Sequence, residues 1–333
     1  MERLLITLIL VCTMNNITNA QNPFYGQYHT PHEAVPFDRI ETEHYEPAIL
    51  EGIKLQNAEI EAIIQNPEKA DFTNTIEAFE ESGELLDKVV AVFGNMLSAE
   101  TNDDLQELAQ KIMPLLSEHS NNITLNKKLF ARVKEVYNQK ETLQLTEEQK
   151  QLLENAYNSF IRHGANLEGE AREEYRRLTT ELSKLTLTFS ENNLKETNAY
   201  QMLLTKKESL AGLPEIIIEA AAETAKNEEK EGWAFTLHAP SYIPFMTYSD
   251  NRDLRQKLYM AYNTKCTHDN EFNNIDIVKK IANTRMKIAQ LLGYKDYAEY
   301  TLKKRMAENS KSVYKLLNQL LEAYTPTAQQ EYK

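Results

Sequence analysis

Cysteine, glycine, proline and tryptophan are all scarce: 333 residues hold 2 Cys, 9 Gly, 10 Pro and 1 Trp. Two cysteines exclude a disulfide-stapled scaffold. Few glycines and prolines mean few obligatory turns and helix breaks, so the composition leans toward long helices. The apolar run Leu4–Met14 is shorter than the roughly 20 residues a membrane-spanning helix needs, and no later run is long enough. GxSxG, a glycine-rich phosphate loop, CxxC and HExxH are absent, which removes the motif-borne forms of serine hydrolysis, nucleotide binding, dithiol redox chemistry and helical zinc sites. Basic residues are also in deficit, 37 against 50 acidic, a net charge of −13. A surface of that sign repels phosphate backbones, so nucleic acid is not an expected partner.

What is present is a chain with 41% apolar and 26% charged residues, the balance of a globular protein with a real core. Met1-Glu2-Arg3, the apolar run LLITLILVCTM and then Thr18-Asn19-Ala20 follow the order of a secretory signal. Residues 1–20 are therefore expected to direct export, to a bacterial periplasm, leaving no stable membrane anchor. Cys12 offers the alternative of a lipoprotein; Val11 stands where a small residue is expected before a lipidated cysteine. With the leader removed, Cys266 is the remaining thiol and carries no nucleophile signature.

Residues 21–47, rich in Pro, His, Tyr and Asn, read as an extended arm. Helical patterning follows, with Leu105, Leu108, Ile112, Leu115 and Leu116 at three- and four-residue steps. A second helix is bracketed by a capping box, Thr146 to Gln149, and by Gly164. Ala171, Tyr175, Leu178, Leu182, Leu185 and Phe189 form a heptad-like seam. Gln201–Leu204 and Trp233–Leu237 are short strand-type runs bounded by Gly212, Pro214, Gly232 and Pro240. Helices return at Asp250, marked by stripes at Leu254 and Leu258, at Ile277 to Leu292, and at Val313 to Tyr324. Thr325-Pro326 reads as a further helix start, and Lys333 after it as a truncation point.

The seven histidines are 29, 32, 44, 119, 163, 238 and 268, and none forms an i, i+4 pair on an expected helix. His29 and His32 lie in the arm beside Pro31. His163 precedes Gly164 at a helix C-terminus, where the dipole favours it. His238 ends a strand-type run. From these residues alone no active site is identified.

Several stretches together carry a resemblance: Phe72-Thr73-Asn74-Thr75-Ile76-Glu77, the segments 152–167 and 178–193, Gly212-Leu213-Pro214, YIPFMTYSDNRDLRQKLYMAYNTK at 242–265, and 274–300. Their order, from about residue 23 to the end, resembles the zinc peptidase family of thimet oligopeptidase, neurolysin, oligopeptidase A and bacterial peptidyl-dipeptidase. The resemblance implies a mainly α, neurolysin-like clam with a few short strands and a channel that admits short peptides. It implies a division into a signal peptide (1–20), an N-terminal helical domain (21–200), a strand-containing connecting segment (201–248) and the start of the helical catalytic domain (249–333). The family's HExxH helix, its further Glu ligand and its Tyr and His groups all lie C-terminal to the matched region. No catalytic or metal-binding residue is therefore carried over to this chain, and its substrate-binding residues are unassigned.

Zinc is expected in the full-length family and none on this chain, which is expected to be an inactive monomer by itself. The exported leader favours a peptidyl-dipeptidase that releases C-terminal dipeptides. The alternatives are an oligopeptidase A-like endopeptidase and a non-catalytic helical peptide-binding module. Residues 233–248 are a candidate channel lining, because a strand edge can pair with an extended peptide, but a core or covered strand is the favoured reading.

Overall fold

A computed structural model describes residues 22–332; the leader, Cys12 and the expected cleavage at Gln21 lie outside the described residues, as does Lys333. The chain is mainly helical and forms two compact units. One comprises the chain up to Thr180 together with the stretch from Lys287 onward, and the other is Glu181–Met286.

The first unit begins with three single 3-10 turns, Pro23–Tyr25, Pro31–Glu33 and Phe37–Arg39. The expected arm is shorter and better anchored than its composition suggests. Helix α1, Thr42–Gln65, starts inside the expected arm and contains Pro47. Its N-terminus is organised by a reciprocal pair: the Glu41 side chain accepts from the backbone of His44, and His44 Nδ1 accepts the Glu41 N–H at 2.9 Å. Asn22 Nδ2 donates to the His44 carbonyl at 2.9 Å, and Phe24 is buried against Tyr45 with ring centroids 5.4 Å apart.

After α1 come a π-helical turn, Phe72–Glu77, capped by Asp71, and helices α2 (Glu84–Ala99), α3 (Asp103–Thr124), α4 (Lys127–Asn138) and α5 (Glu147–Arg162). Helices α1 and α2 approach so closely at Gly52 that a Cβ there would stand 2.9 Å from Leu86 Cα. Glycine is required at that crossing because any side chain would force the helices apart. The core gathers Ile60, Ile63, Phe72, Ile76, Leu129, Val133, Leu153 and Phe160. Helix α5 matches its sequence signals: Thr146 Oγ1 accepts from Gln149 N at 3.2 Å, the Gln149 side chain returns the bond, and Gly164 adopts φ +86 beyond the last turn.

Helix α6, Gly169–Ala199, carries the heptad-like seam. Tyr175 and Leu178 are buried, whereas Phe189 is 38% exposed. In the second unit, β1 (Gln201–Leu204) and β2 (Trp233–Thr236) pair antiparallel, with Gln201 opposite Thr236 and Leu204 opposite Trp233. Gly232 enters β2 at φ +116, and a Cβ there would meet the Leu204 carbonyl oxygen at 2.3 Å, so only glycine fits.

Two helices in this unit were not apparent in the sequence. Helix α7, Glu215–Asn227, starts directly after Pro214, and α8, Ala239–Tyr248, contains Pro244. The strand-type run expected at Trp233–Leu237 forms a strand over Trp233–Thr236, and most of the remainder of 233–248 is helix α8. The hydrophobic side chains of α8 serve burial instead, with Phe245 edge-on to Phe235 at 4.6 Å.

Helices α9 (Arg252–Asn263), α10 (Ile275–Leu291), α11 (Tyr297–Leu302) and α12 (Ser310–Tyr332) follow. The helix start expected at Thr325-Pro326 does not occur, because α12 runs through it without a break. Thr325 Oγ1 turns back to the Leu321 carbonyl at 2.5 Å instead of capping a new helix. Pro326 withholds one N–H from the ladder, and on an exposed helix water satisfies the freed carbonyl. None of α12's residues is buried; Leu316, Leu321 and Tyr324 are 57%, 67% and 66% exposed.

Candidate functional site

Among the described residues no group of three or more His, Cys, Asp or Glu is placed to hold a metal ion, and no helix is long and apolar enough to cross a membrane. The histidines serve local structure. His32 sits in a 3-10 turn at φ 58. His44 belongs to the α1 cap described above. His163 Nδ1 lies 2.8 Å from the Ser159 carbonyl in the last turn of α5, the helix-end role its position suggests. His238 precedes α8, with Nε2 3.1 Å from Asn198 Oδ1. His29 is exposed in the arm.

A polar cluster of the second unit joins the end of α6 to the loop after α9. Glu196 accepts from His268 Nδ1 at 2.7 Å, from Asn270 Nδ2 at 3.2 Å and from the Cys266 backbone N–H. Cys266 itself is buried in a left-handed conformation, φ 58. The residue types suggest a thiol, an imidazole and a carboxylate arranged for nucleophilic catalysis. The geometry refuses that role. His268 spends its two nitrogens on Glu196 and, at 3.1 Å, on Thr264 Oγ1. Burial first, and then the neighbouring Glu196, push the Cys266 thiol up to about 11, so it is a neutral thiol and a poor nucleophile. Burial opposes ionisation of Glu196, but the bonds from His268, the Cys266 N–H and Asn270 prevail and hold it below the usual carboxylate range. The cluster is a clamp on the loop, reinforced by Asn274, which donates to the Phe189 carbonyl at 3.0 Å and accepts from Asn192 at 2.9 Å.

Among the hollows of the first unit, three gather side chains from separate elements. One, of about 890 Å³, is bordered by Phe24, Tyr28, Glu51, Lys54 and Lys88. Lys88 donates to the carbonyls of Gly26 at 2.8 Å and Phe24 at 3.2 Å and rests 4.0 Å from the Tyr28 ring centroid. Its donors are thus committed to fastening the N-terminal segment.

A second hollow, of about 410 Å³, contains His119 and Asp87. His119 is buried and its Nε2 lies 2.6 Å from Gln56 Oε1, while Gln56 Nε2 donates to the Ser82 carbonyl. Burial lowers the His119 pKa and raises that of Asp87. A histidine held neutral by folding contributes stability above its unfolded pKa of about 6.5, lost as pH falls toward the lower folded value, at most about 1.4 kcal/mol per pH unit. The buried Asp87 acts in the opposite sense, its stabilising neutral form being lost as pH rises through its folded value. Urea titrations at pH 7.5 and 5.5 are expected to show a lower midpoint at the acid pH for the wild type and a smaller loss for His119→Gln. Equal losses in both proteins would exclude His119 as the source.

The third hollow, of about 570 Å³, lies where the end of α5 meets α11 and the turn after it, lined by Asn158, Arg162, Tyr294, Lys303, Lys304 and Asn309 among others. Arg162 joins these elements: its Nη1 donates to the Tyr300 carbonyl at 3.0 Å, its guanidinium lies 4.2 Å from the Tyr300 ring centroid, and Tyr300 OH donates to the Arg162 carbonyl at 3.4 Å. Sequence reading missed this basic hollow because its parts are 138 residues apart and no local spacing marks them.

Comparison with known proteins gives the chain relatives. Residues 245–333 match the family described as Peptidase family M3. The chain is 34% identical over 311 residues to the dipeptidyl carboxypeptidase of Escherichia coli (strain K12), covering 93% of this chain and 46% of that protein. It is 30% identical over 314 residues to the oligopeptidase A of Salmonella typhimurium, again 93% of this chain and 46% of the relative. To the dipeptidyl carboxypeptidase of Salmonella typhimurium it is 35% identical over 288 residues, 86% of this chain and 42% of the relative. The chain thus spans about half the length of the curated relatives it matches.

Proposed function

We infer that this chain, which resembles one part of the peptidases of family M3 along nearly its whole length, contributes the N-terminal helical part of a metallopeptidase that hydrolyses short peptides. The observation that carries this reading is the 34% identity over 93% of the chain to a dipeptidyl carboxypeptidase. Identities of 34% and 35% to dipeptidyl carboxypeptidases against 30% and 32% to oligopeptidases A, together with the export-type leader, favour release of C-terminal dipeptides over internal cleavage. Zinc is the metal the resemblance implies for the whole enzymes. The residues described do not fit it: His44, His119 and His163 are committed to a cap, a buried hydrogen bond and a helix end, and no group of three ligands converges among the described residues. On this reading the hydrolytic centre is not built from residues 22–332, which shape the scaffold around it.

The test is product mapping on the enzyme that carries this chain together with an HExxH helix. Incubated with a blocked hexapeptide, it is expected to release dipeptides from the C-terminus, and to stop when that terminus is amidated. Internal fragments regardless of amidation would assign it to the oligopeptidase A type.

The same reading includes export. The apolar run 4–14 followed by Thr18-Asn19-Ala20 supports a periplasmic protein whose mature form begins at or near Gln21. N-terminal sequencing of the exported protein is expected to start there. A start at Met1 would end the proposal, and a lipid on Cys12 would replace it with an anchored protein.

A further inference from the structure

On a chain of net charge −13, the hollow beside Arg162 is locally cationic. Its charged lining is Arg162, Lys303 and Lys304 against one carboxylate, Glu308. None of the three cations has an ion-pair partner among the described residues. Arg162 is fastened to Tyr300. The Tyr300 carbonyl takes one Nη1 bond and the Tyr300 ring supports the guanidinium plane, which leaves further N–H groups of the fork uncommitted. A guanidinium fixed in this way presents parallel donors in the geometry that matches a carboxylate, and loses little freedom on binding one. The two lysines, exposed on the turn after α11, add positive potential without fixing direction.

The rest of the lining is suited to peptide. Asn158, whose Nδ2 donates to Glu154 at 3.3 Å, and Asn309 border the space with side-chain amides. Asn309 Oδ1 is occupied by the Ser312 N–H at 3.0 Å, so its amide nitrogen is the group left for a ligand carbonyl. Tyr294 stands edge-on to Tyr300, centroids 5.3 Å apart, and gives the hollow an aromatic wall. Cations, amides and an aromatic wall around about 570 Å³ match the size of a few residues of extended peptide rather than a bare ion.

We propose that the hollow formed by Arg162, Lys303 and Lys304 binds the carboxylate end of a short peptide. The carboxylate follows from the side chains; the peptide class rests on the peptidase reading above. Hydrolysis plays no part in the test, so the two can fail independently.

The experiment is calorimetric titration of the chain with N-acetylated trialanine as the free acid, with the same peptide as its C-terminal amide, and with inorganic phosphate. The free acid is expected to bind about ten-fold more tightly than the amide, as loss of a charge-assisted pair predicts. Lys303→Ala/Lys304→Ala, on exposed side chains that bear no structural contact, is expected to weaken free-acid binding about five-fold with an unchanged urea midpoint, consistent with two lost cations. Arg162→Lys is expected to weaken it further while keeping the charge, because the planar fork is lost. Equal binding of acid and amide, no binding at millimolar peptide, or full affinity in the double lysine variant would overturn the proposal. Phosphate binding as tight as the free-acid peptide would overturn the assignment to a peptide carboxylate.

Discussion

Replacing Phe160 by alanine is expected to lower the stability of the first unit by about 3–5 kcal/mol, the cost of deleting a buried aromatic ring from a core that relaxes only in part. Phe160 is 1% exposed in the last turn of α5. Its ring centroid lies 5.4 Å from that of Phe79 and 5.8 Å from that of Phe130. The ring therefore ties the turn after the π-helical segment, α4 and α5 into one core, and losing it sacrifices both apolar burial and two ring–ring contacts. Phe189 supplies the control. It belongs to the seam read from the sequence but is 38% exposed, so Phe189→Ala is expected to cost about 1 kcal/mol or less. Urea unfolding followed by far-UV circular dichroism measures both. A loss below about 1 kcal/mol for Phe160→Ala would contradict its position at the centre of the packing.

The contrast between Phe160 and Phe189 also marks what is legible in the sequence. Periodicity and capping report on contacts three or four residues apart, so α5 could be read from Thr146, Gln149 and Gly164. The two strands could likewise be read as short strand-type runs bordered by Gly and Pro. Periodicity says which face of a helix is apolar, not how much of it is covered. The α6 seam is buried at Tyr175 and Leu178 and open at Phe189, and no residue of the α12 stripe is buried. Proline misled in both directions. Pro47, Pro244 and Pro326 all lie within helices, where surrounding residues supply enough hydrogen bonds to outweigh one missing N–H.

The polar sites were less legible because their partners are distant in sequence. Glu196 meets His268 across 72 residues and Arg162 meets Tyr300 across 138. Neither separation has a spacing signature. The absence of motif chemistry could be read directly, since a motif is local by definition. The resemblance to zinc peptidases came from the order of many weak segments, and it identified a family without supplying a single site residue on this chain.

Zinc binding and peptide cleavage by the chain itself carry the second large expectation, a loss of many orders of magnitude relative to a complete enzyme. A catalytic zinc site needs about three protein ligands and an open position for water, and each metal-bound histidine is normally oriented by a partner at its other nitrogen. Here His119 is engaged by Gln56, His268 by Glu196 and Thr264, and His163 by Ser159. Recruiting them would break buried or capping hydrogen bonds on elements that do not converge. The most direct measurement is zinc content together with hydrolysis of a short free-acid peptide by untagged residues 21–333, beside a longer protein that adds an HExxH helix. Substoichiometric zinc and no chelator-sensitive cleavage are expected from the chain, with both restored in the longer protein. Stoichiometric zinc and chelator-sensitive cleavage by residues 21–333 would contradict the proposal that the hydrolytic centre lies outside them.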